Sequence, residues 1–293
     1  MPKKLDMESF SWPNGAPFAV CLTHDVDHIK RHLYQRLWRG ANCGFHIALR
    51  ELRDLAATIG QTNSAWNFER IMSLEEKLGV RSTFLFMDET ASGFGPQYWG
   101  RYRFSSPSVQ SIIKELDSGG WEIGLHGSLY SYNHLELLQR EKNDLEQIIS
   151  KPIVSTRQHY LNFEKGITFA IQEQIGLKVD STIGYSHKPY DGNLGVFPYT
   201  PEERNITELP ITIMDTIGIE QADVRSQCEK NIRSIAKQGG LITLDWHQCI
   251  CNPNLFPERF SFYQDIISFA LRNKAWIAPM RDIARHYKKL NAL

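Results

Sequence analysis

The sequence lacks an excess of either charge, because 33 Lys and Arg residues balance 33 Asp and Glu residues. It also lacks the basic clusters with interleaved aromatic residues that are typical of nucleic-acid-binding proteins. No apolar run approaches the roughly 20 residues that a membrane-spanning helix needs. The charged residues near the start are followed by no apolar segment of the kind found in secretion signals. We therefore expect no nucleic-acid partner, no membrane span and no secretion.

Cysteine is scarce, and its five residues are an odd number that a complete set of disulfides cannot pair. This favours a reducing compartment, so we expect a cytoplasmic location. Cys249 and Cys251 lie close to His247 in the sequence. Two thiols without a second C-x-x-C pair give weak support for a metal site, so we interpret both as small side chains of a loop. Glycine-rich nucleotide-binding motifs are absent after every predicted strand.

Short β-rich runs alternate with longer amphipathic runs from Phe18 almost to the C-terminus, which is typical of repeated βα units and a parallel sheet. Candidate strands cover 19–23, 82–86, 121–125, 153–156, 178–180, 208–213, 241–246 and 275–277. Helical patterns cover 107–116, 133–149, 164–174, 222–237, 257–271 and 280–287. The unbroken alternation predicts a closed or nearly closed (β/α) barrel. We expect one domain over residues 1–293, with a helical insertion at about 29–79 on the barrel rim.

Ionisable residues follow several of these strands. Asp25 and Asp27 come after the first strand, His126 after the third and His247 after the seventh. Alternate carboxylates with imidazoles nearby suit a divalent metal and a general base, although the same residues could form a solvated turn. If the strand ends meet at one barrel mouth, the separate signals form one site.

The motifs and their order resemble the polysaccharide deacetylases, or carbohydrate esterase family four, which include the nodulation-type chitooligosaccharide deacetylases. The resemblance covers roughly residues 18–280. It rests on THDVD at 23–27, VRSTFLF at 80–86, EIGLH at 122–126, RQHY at 157–160 and LDWH at 244–247. It implies an α/β fold, a distorted (β/α) barrel of about seven strands.

The sequence departs from the family pattern in two places. The second motif normally has another histidine four residues after the first, but Tyr130 occupies that position. His159 stands where the third motif usually has proline, so we expect it to replace the missing metal ligand. His134, Tyr130 and water are the alternatives for the third position.

The resemblance implies a role for each site residue. One divalent ion, zinc first and cobalt or nickel as alternatives, would be bound by Asp27 and His126, with His159 as the third ligand that we propose. Asp25 would be the general base, and Arg157 would keep it ionised and oriented.

The other side of the site would stabilise and complete the reaction. A backbone N–H near Tyr160 would bind the oxyanion. His247 would donate a proton to the leaving amine. Asp215 is our first choice of partner for His247, and Asp245 is the second.

The implied function is a metal-dependent hydrolase that removes an N-acetyl or small acyl group from an amino sugar, in a glycan or a precursor of surface polysaccharide. The alternatives are a hydrolase of a non-sugar linear or cyclic amide and a non-catalytic glycan-binding module with a degenerate site. Aromatic residues in the predicted loops suit stacking on a carbohydrate substrate. They are Phe94, Tyr98, Trp99, Tyr102, Phe104, Tyr130, Tyr132, Tyr185, Tyr190 and Tyr199. The sequence does not indicate the oligomeric state or the exact substrate.

Overall fold

The structure is a computed structural model that describes residues 11–30, 64–90, 101–186 and 188–291, with isolated positions between 48 and 56. Helix α1 (Phe68–Leu78) lies within the predicted insertion at about 29–79. Most of the preceding part of that insertion lies outside the described residues, so the insertion and the single-domain organisation stay predictions.

A parallel sheet forms the centre of the fold. Its strands are β1 (Ala19–Val26), β2 (Thr83–Phe86), β3 (Glu122–Gly127), β4 (Ser155–Gln158), β5 (Val179–Asp180), β6 (Thr207–Glu208), β7 (Ile213–Met214), β8 (Leu241–Asp245) and β9 (Trp276–Ile277). The order in the sheet is β6-β5-β4-β3-β2-β1-β8-β7, and β9 pairs with β1. Every strand pairing is parallel. The predicted α/β fold, a distorted barrel, is confirmed.

Helices connect most of the strands and, except for the last helix, cover the outside of the sheet. After α1 come α2 (Pro107–Ser118), α3 (Leu135–Ile149), α4 (Thr168–Gln174), α5 (Ala222–Lys237), α6 (Pro257–Arg272) and α7 (Met280–Asn291). Phe68 of α1 stacks on Phe86 of β2, with ring centroids 5.9 Å apart. This contact fixes α1 against the outer face of the sheet.

The predicted strand at 208–213 is wrong as a single element. It is two short strands, β6 and β7, separated by Pro210, which has no N–H to donate to a neighbouring strand. Leu209 donates to the Asp180 carbonyl on one side, at 2.9 Å, and Thr212 donates to the Thr243 carbonyl on the other, at 3.0 Å. One segment therefore connects the two edges of the curled sheet. If β6 and β7 are counted together, the barrel has seven strands besides β9.

Strand β1 extends three residues beyond its predicted end at Thr23, because its last four residues pair with β2. Its side chains alternate between two environments, as the period of a strand requires. Ala19 and Cys21 belong to the apolar cluster inside the barrel, together with Met280 and Ile283 of α7. Helix α7 thus closes the end of the barrel at which β1 begins. The polar residues of β1 lie at the opposite end.

Two glycines of β3 allow its neighbours to approach closely. A Cβ atom at Gly124 would lie 2.6 Å from the Leu85 side chain and 3.0 Å from the Ser155 carbonyl oxygen. At Gly127 it would lie 2.1 Å from Oε1 of Gln158. All three distances are at or below the shortest that real Cβ atoms show, so glycine at these positions lets β3 pack between β2 and β4 and positions the intervening His126.

Candidate active site

The alternation of β1 separates its ionisable side chains. Asp25 and Asp27 lie on the side of the barrel mouth. His24 points to the opposite face, where its Nδ1 lies 2.8 Å from the Trp246 carbonyl oxygen and its Nε2 lies 3.0 Å from Oε1 of Glu75. His24 is therefore part of a buried structural network rather than of the pocket.

Arg157 fixes Asp25. The arginine lies within β4, is fully buried, and donates from one terminal nitrogen to Oδ1 of Asp25 at 2.7 Å. Its remaining nitrogens donate to the carbonyl and hydroxyl oxygens of Ser181 at 2.7 and 2.9 Å. Burial by itself raises the pKa of Asp25, but Arg157, His126 and His247 together bring that pKa below its ordinary value. Asp25 is thus ionised and held in one orientation.

Asp27, His126 and His159 converge on one point. Their nearest ligand atoms all lie within 4.8 Å of one another. Nε2 of His126 is 3.2 Å from Oδ1 of Asp27, and Nδ1 of His159 is 3.4 Å from the same oxygen. Burial raises the pKa of Asp27, yet the two imidazoles lower it well below the ordinary value.

The donors on Asp27 and His126 fit a divalent metal. Oδ1 of Asp27 is buried and has no hydrogen-bond partner among the described residues, which is costly unless a cation lies beside it. Nδ1 of His126 lies 3.0 Å from the Arg157 carbonyl oxygen. That carbonyl can only accept, so Nδ1 carries the proton and Nε2 presents its lone pair to the site. One carboxylate and two imidazoles suit zinc, and also cobalt or nickel.

Asp215 contacts His247, whereas Asp245 contacts Arg157. Oδ2 of Asp215 is 2.9 Å from Nδ1 of His247 and accepts from the His247 backbone N–H at 2.6 Å. Burial lowers the pKa of His247, but Asp215 and then Asp245 raise it well above the usual value. Oδ1 of Asp245 is 3.3 Å from the Arg157 guanidinium. Burial and the neighbouring Asp25 raise the pKa of Asp245 to about 7.

Tyr160 follows directly after His159 at the edge of the pocket. It adopts φ 56° and ψ 16°, and the next residue, Leu161, also has a positive φ of 54°. Two consecutive left-handed residues other than glycine are strained, and such strain is concentrated at functional sites. The Tyr160 side chain is 60% exposed, so it lies at the mouth and is accessible to a ligand.

The pocket encloses about 210 Å³. It is lined by Asp25, Asp27, His126, His159, Tyr160, Leu161, Ser186, Met214, Thr216, Asp245 and His247. Three carboxylates and three imidazoles line it, and Leu161 and Met214 provide apolar surface. This volume is large enough for a small acyl group.

The other candidate ligands lie elsewhere. His134 caps the N-terminus of α3, where its Nδ1 accepts from the Leu137 N–H at 3.3 Å, so the helix begins after His134 rather than after Asn133. Tyr130 is 54% exposed and does not line the pocket. The groups of described residues that could hold a metal contain no cysteine.

Some of the aromatic residues predicted to contact sugar are not available for stacking. Tyr102 is buried, accepts from the Met87 N–H and donates to the Val26 carbonyl. Phe104 is also buried in the core. Phe94, Tyr98 and Trp99 lie outside the described residues.

Arg101 contacts the site but carries no sequence signal. Its guanidinium lies 2.7 Å from Nε2 of His159 and donates to the Asp27 carbonyl at 2.7 Å. No motif includes this arginine, and its distance from the other site residues along the chain hides the contact.

No protein-family model matches the sequence, and no curated protein matches it. Solved structures do match over nearly the whole chain. A protein described as a polysaccharide deacetylase from Mycobacterium smegmatis is 18% identical, with a TM-score of 0.64, and the match covers 96% of this chain and 94% of the other. The chain has the polysaccharide deacetylase fold.

Two further structures share this fold. A protein described as a polysaccharide deacetylase from Pseudomonas aeruginosa PAO1 is 16% identical, with a TM-score of 0.58 and coverage of 95% of this chain and 93% of the other. Puue allantoinase is 15% identical, with a TM-score of 0.61 and coverage of 94% and 92%. The same deacetylase fold therefore occurs in proteins described by different reactions, and the function of this chain has to be argued from its site. Within the described residues, no helix has the length and apolar character to cross a bilayer.

Proposed function

We propose that the protein is a metal-dependent hydrolase that removes an N-acetyl or other small acyl group from an amino sugar. The observation that supports this most strongly is that two neighbouring carboxylates have different surroundings. Asp25 is paired with Arg157, while Asp27 faces two imidazoles and keeps one buried oxygen without a hydrogen bond among the described residues. The first arrangement suits a general base, and the second suits a metal ligand.

A divalent ion bound by Asp27 and His126, with His159 as the third candidate ligand, would polarise the acyl carbonyl and acidify a water molecule. Asp25 would take the proton from that water. Its Oδ1 is held by Arg157 at 2.7 Å, so Oδ2 remains to receive the proton. Arg157 is buried and stays charged, and it therefore keeps Asp25 ionised between turnovers.

His247 would protonate the leaving amine. Because Nδ1 is bonded to Asp215, Nε2 is the atom that faces the site, 3.8 Å from Oδ2 of Asp27. The raised pKa of His247 keeps the imidazole protonated at neutral pH. We assign the oxyanion contact to the backbone N–H of Tyr160, between the pocket residues His159 and Leu161.

The substrate class follows from the pocket and from the expected location. A cavity of about 210 Å³ with apolar surface from Leu161 and Met214 accommodates an acetyl group, and Tyr160 at the mouth is exposed to a sugar that carries it. The cytoplasmic location stays a prediction from the sequence. It favours a sugar nucleotide, a lipid-linked glycan or an O-antigen precursor over a finished cell wall.

Hydrolysis of a cyclic ureide is the second candidate, and the shared fold with an allantoinase at a TM-score of 0.61 favours it. A screen of the zinc-loaded protein against N-acetylated sugar nucleotides, N-acetylated glycans and cyclic ureides separates the two. We expect acetate from at least one N-acetylated sugar. Ureide turnover without acetate release would establish the second candidate, and glycan binding without any turnover would indicate a non-catalytic module.

A further inference from the structure

Arg101 occupies an unusual place beside the candidate metal ligands. Its side chain is only 10% exposed, and one terminal nitrogen lies 3.6 Å from Oδ2 of Asp27 while also donating to the Asp27 backbone carbonyl at 2.7 Å. The other terminal nitrogen lies 2.7 Å from Nε2 of His159. The guanidinium therefore contacts two of the three residues proposed to hold the metal.

The chemistry of the guanidinium fixes the direction of the bond to His159. Arginine has five N–H donors and no acceptor, and it does not lose its proton in proteins. Nε2 of His159 must therefore accept, which leaves the single proton of the neutral ring on Nδ1. Nδ1 is the atom that faces the site, 3.4 Å from Oδ1 of Asp27 and 3.1 Å from Nε2 of His126. A ring nitrogen that carries a proton has no lone pair for a metal.

We infer that Arg101 competes with the metal for His159, holding the imidazole in the tautomer that cannot act as a ligand. Ligation by His159 then requires Arg101 to withdraw, so that the ring proton moves from Nδ1 to Nε2 and Nδ1 offers its lone pair. The proton count of the ring is unchanged by this exchange. The inference rests on the proposed metal-dependent function, and it makes residue 101 a determinant of metal affinity rather than a ligand or a catalytic residue.

Three substitutions distinguish the contributions of Arg101. Arg101→Gln removes the charge and offers an amide oxygen that can accept from Nε2–H, the tautomer that a metal requires. Arg101→Ala removes both the charge and the partner, whereas Arg101→Lys keeps a cationic donor. Hydrogen-bond partners of metal-binding histidines typically change metal affinity by about 10- to 100-fold. We therefore expect zinc to bind at least roughly tenfold more tightly to the Gln and Ala variants than to the wild type, with the Lys variant close to the wild type.

Zinc affinity is measured by competition with a chromogenic chelator, on the full chain, for each variant with and without His159→Ala. The inference predicts that most of the gain from Arg101→Gln disappears in the His159→Ala background, because the competition acts through His159. An undiminished gain in that background would mean that Arg101 acts only by charge repulsion and would overturn the inference. Unchanged or weaker zinc binding by the Gln and Ala variants would overturn it as well.

The tautomer is also observable without any metal. Long-range ¹H–¹⁵N correlation spectra of the wild-type protein, assigned with His159→Ala, report which ring nitrogen carries the proton. We expect the proton on Nδ1 of His159, and a proton on Nε2 would refute the inference even if a variant failed to fold. If zinc binds to none of the variants although the spectra show the Nδ1 proton, the proposed metal-dependent function fails instead.

Discussion

Replacing Asp215 by asparagine tests the proposed acid directly. Asp215 is almost fully buried, and a single oxygen, Oδ2, contacts both the backbone N–H and the Nδ1 atom of His247. Asparagine preserves the size of the side chain but removes the negative charge that raises the pKa of His247. The folding of the loop is therefore expected to survive, while the imidazole loses its proton at a lower pH.

The size of the effect follows from the contact. A hydrogen bond to a charged group contributes about 1.5–3 kcal/mol, and one unit of pKa corresponds to about 1.4 kcal/mol. Loss of this contact should therefore lower the pKa of His247. His247 acts as an acid only when its imidazole is protonated. As the pH rises, the variant should therefore lose activity at a lower pH than the wild type.

The assay is acetate release from an N-acetylated amino sugar, with kcat/KM measured from pH 5 to 10. The matched control is Asp282→Asn, since the Asp282 side chain is 37% exposed on α7 and pairs with Arg285. The control should leave the profile unchanged. An alkaline limb that does not move in Asp215→Asn would refute either His247 as the acid or Asp215 as the group that sets its pKa.

Three further predictions address the base and the buried networks. Asp25→Asn should lower acetate release by at least about 100-fold. Bound zinc, measured by elemental analysis, should stay stoichiometric. Loss of zinc would mean that Asp25 is a metal ligand rather than the base. In the wild type, the free energy of unfolding should fall as the pH rises above about 5, and Glu208→Gln should make this fall less steep. Urea unfolding at several pH values measures the slope. Burial and the adjacent Asp180 raise the pKa of Glu208 well above 4.5. The folded state therefore keeps a proton that the unfolded state loses. As a result, the free energy of unfolding declines by up to about 1.4 kcal/mol per pH unit as the pH rises toward the folded pKa. An unchanged slope would contradict this. Glu75→Ala should destabilise the protein by about 3–5 kcal/mol, because Tyr263, Trp121 and Ser82 lose their hydrogen-bond acceptor. The control is Glu76→Ala, since the Glu76 side chain is 71% exposed. This control should change the free energy of unfolding by less than about 0.5 kcal/mol.

The sequence allows much of the barrel to be predicted because most strands are short apolar runs that end in polar residues. The side chains that meet in the pocket follow these strands, so their convergence is a consequence of parallel topology. The split at Pro210 was missed, although a proline within a strand pattern is a signal against an uninterrupted strand. The alternation of β1 could also have separated His24 from Asp25 before the structure was known.

The contacts between distant segments could not be predicted in the same way. Asp215 and Asp245 both precede His247 at the ends of strands. The pairing of β7 with β8, which sets Met214 opposite Asp245, brings Asp215 to the imidazole, whereas Asp245 contacts Arg157. Arg101 lies in no motif, and its contact with His159 depends on side-chain geometry across 58 residues of chain. The sequence pattern indicates which face of a strand or helix a residue lies on and where a strand ends. It does not indicate which distant side chains come into contact, so these contacts are seen only in the structure.

The most direct test of the account is acetate release from an N-acetylated amino sugar by zinc-loaded protein, by the same protein after chelation and zinc restoration, and by Asp27→Ala. We expect chelation to abolish release, zinc to restore it, and Asp27→Ala to bind less zinc and release little acetate. Acetate release that persists equally in the chelated protein and in Asp27→Ala would contradict a metal-dependent reaction at this site.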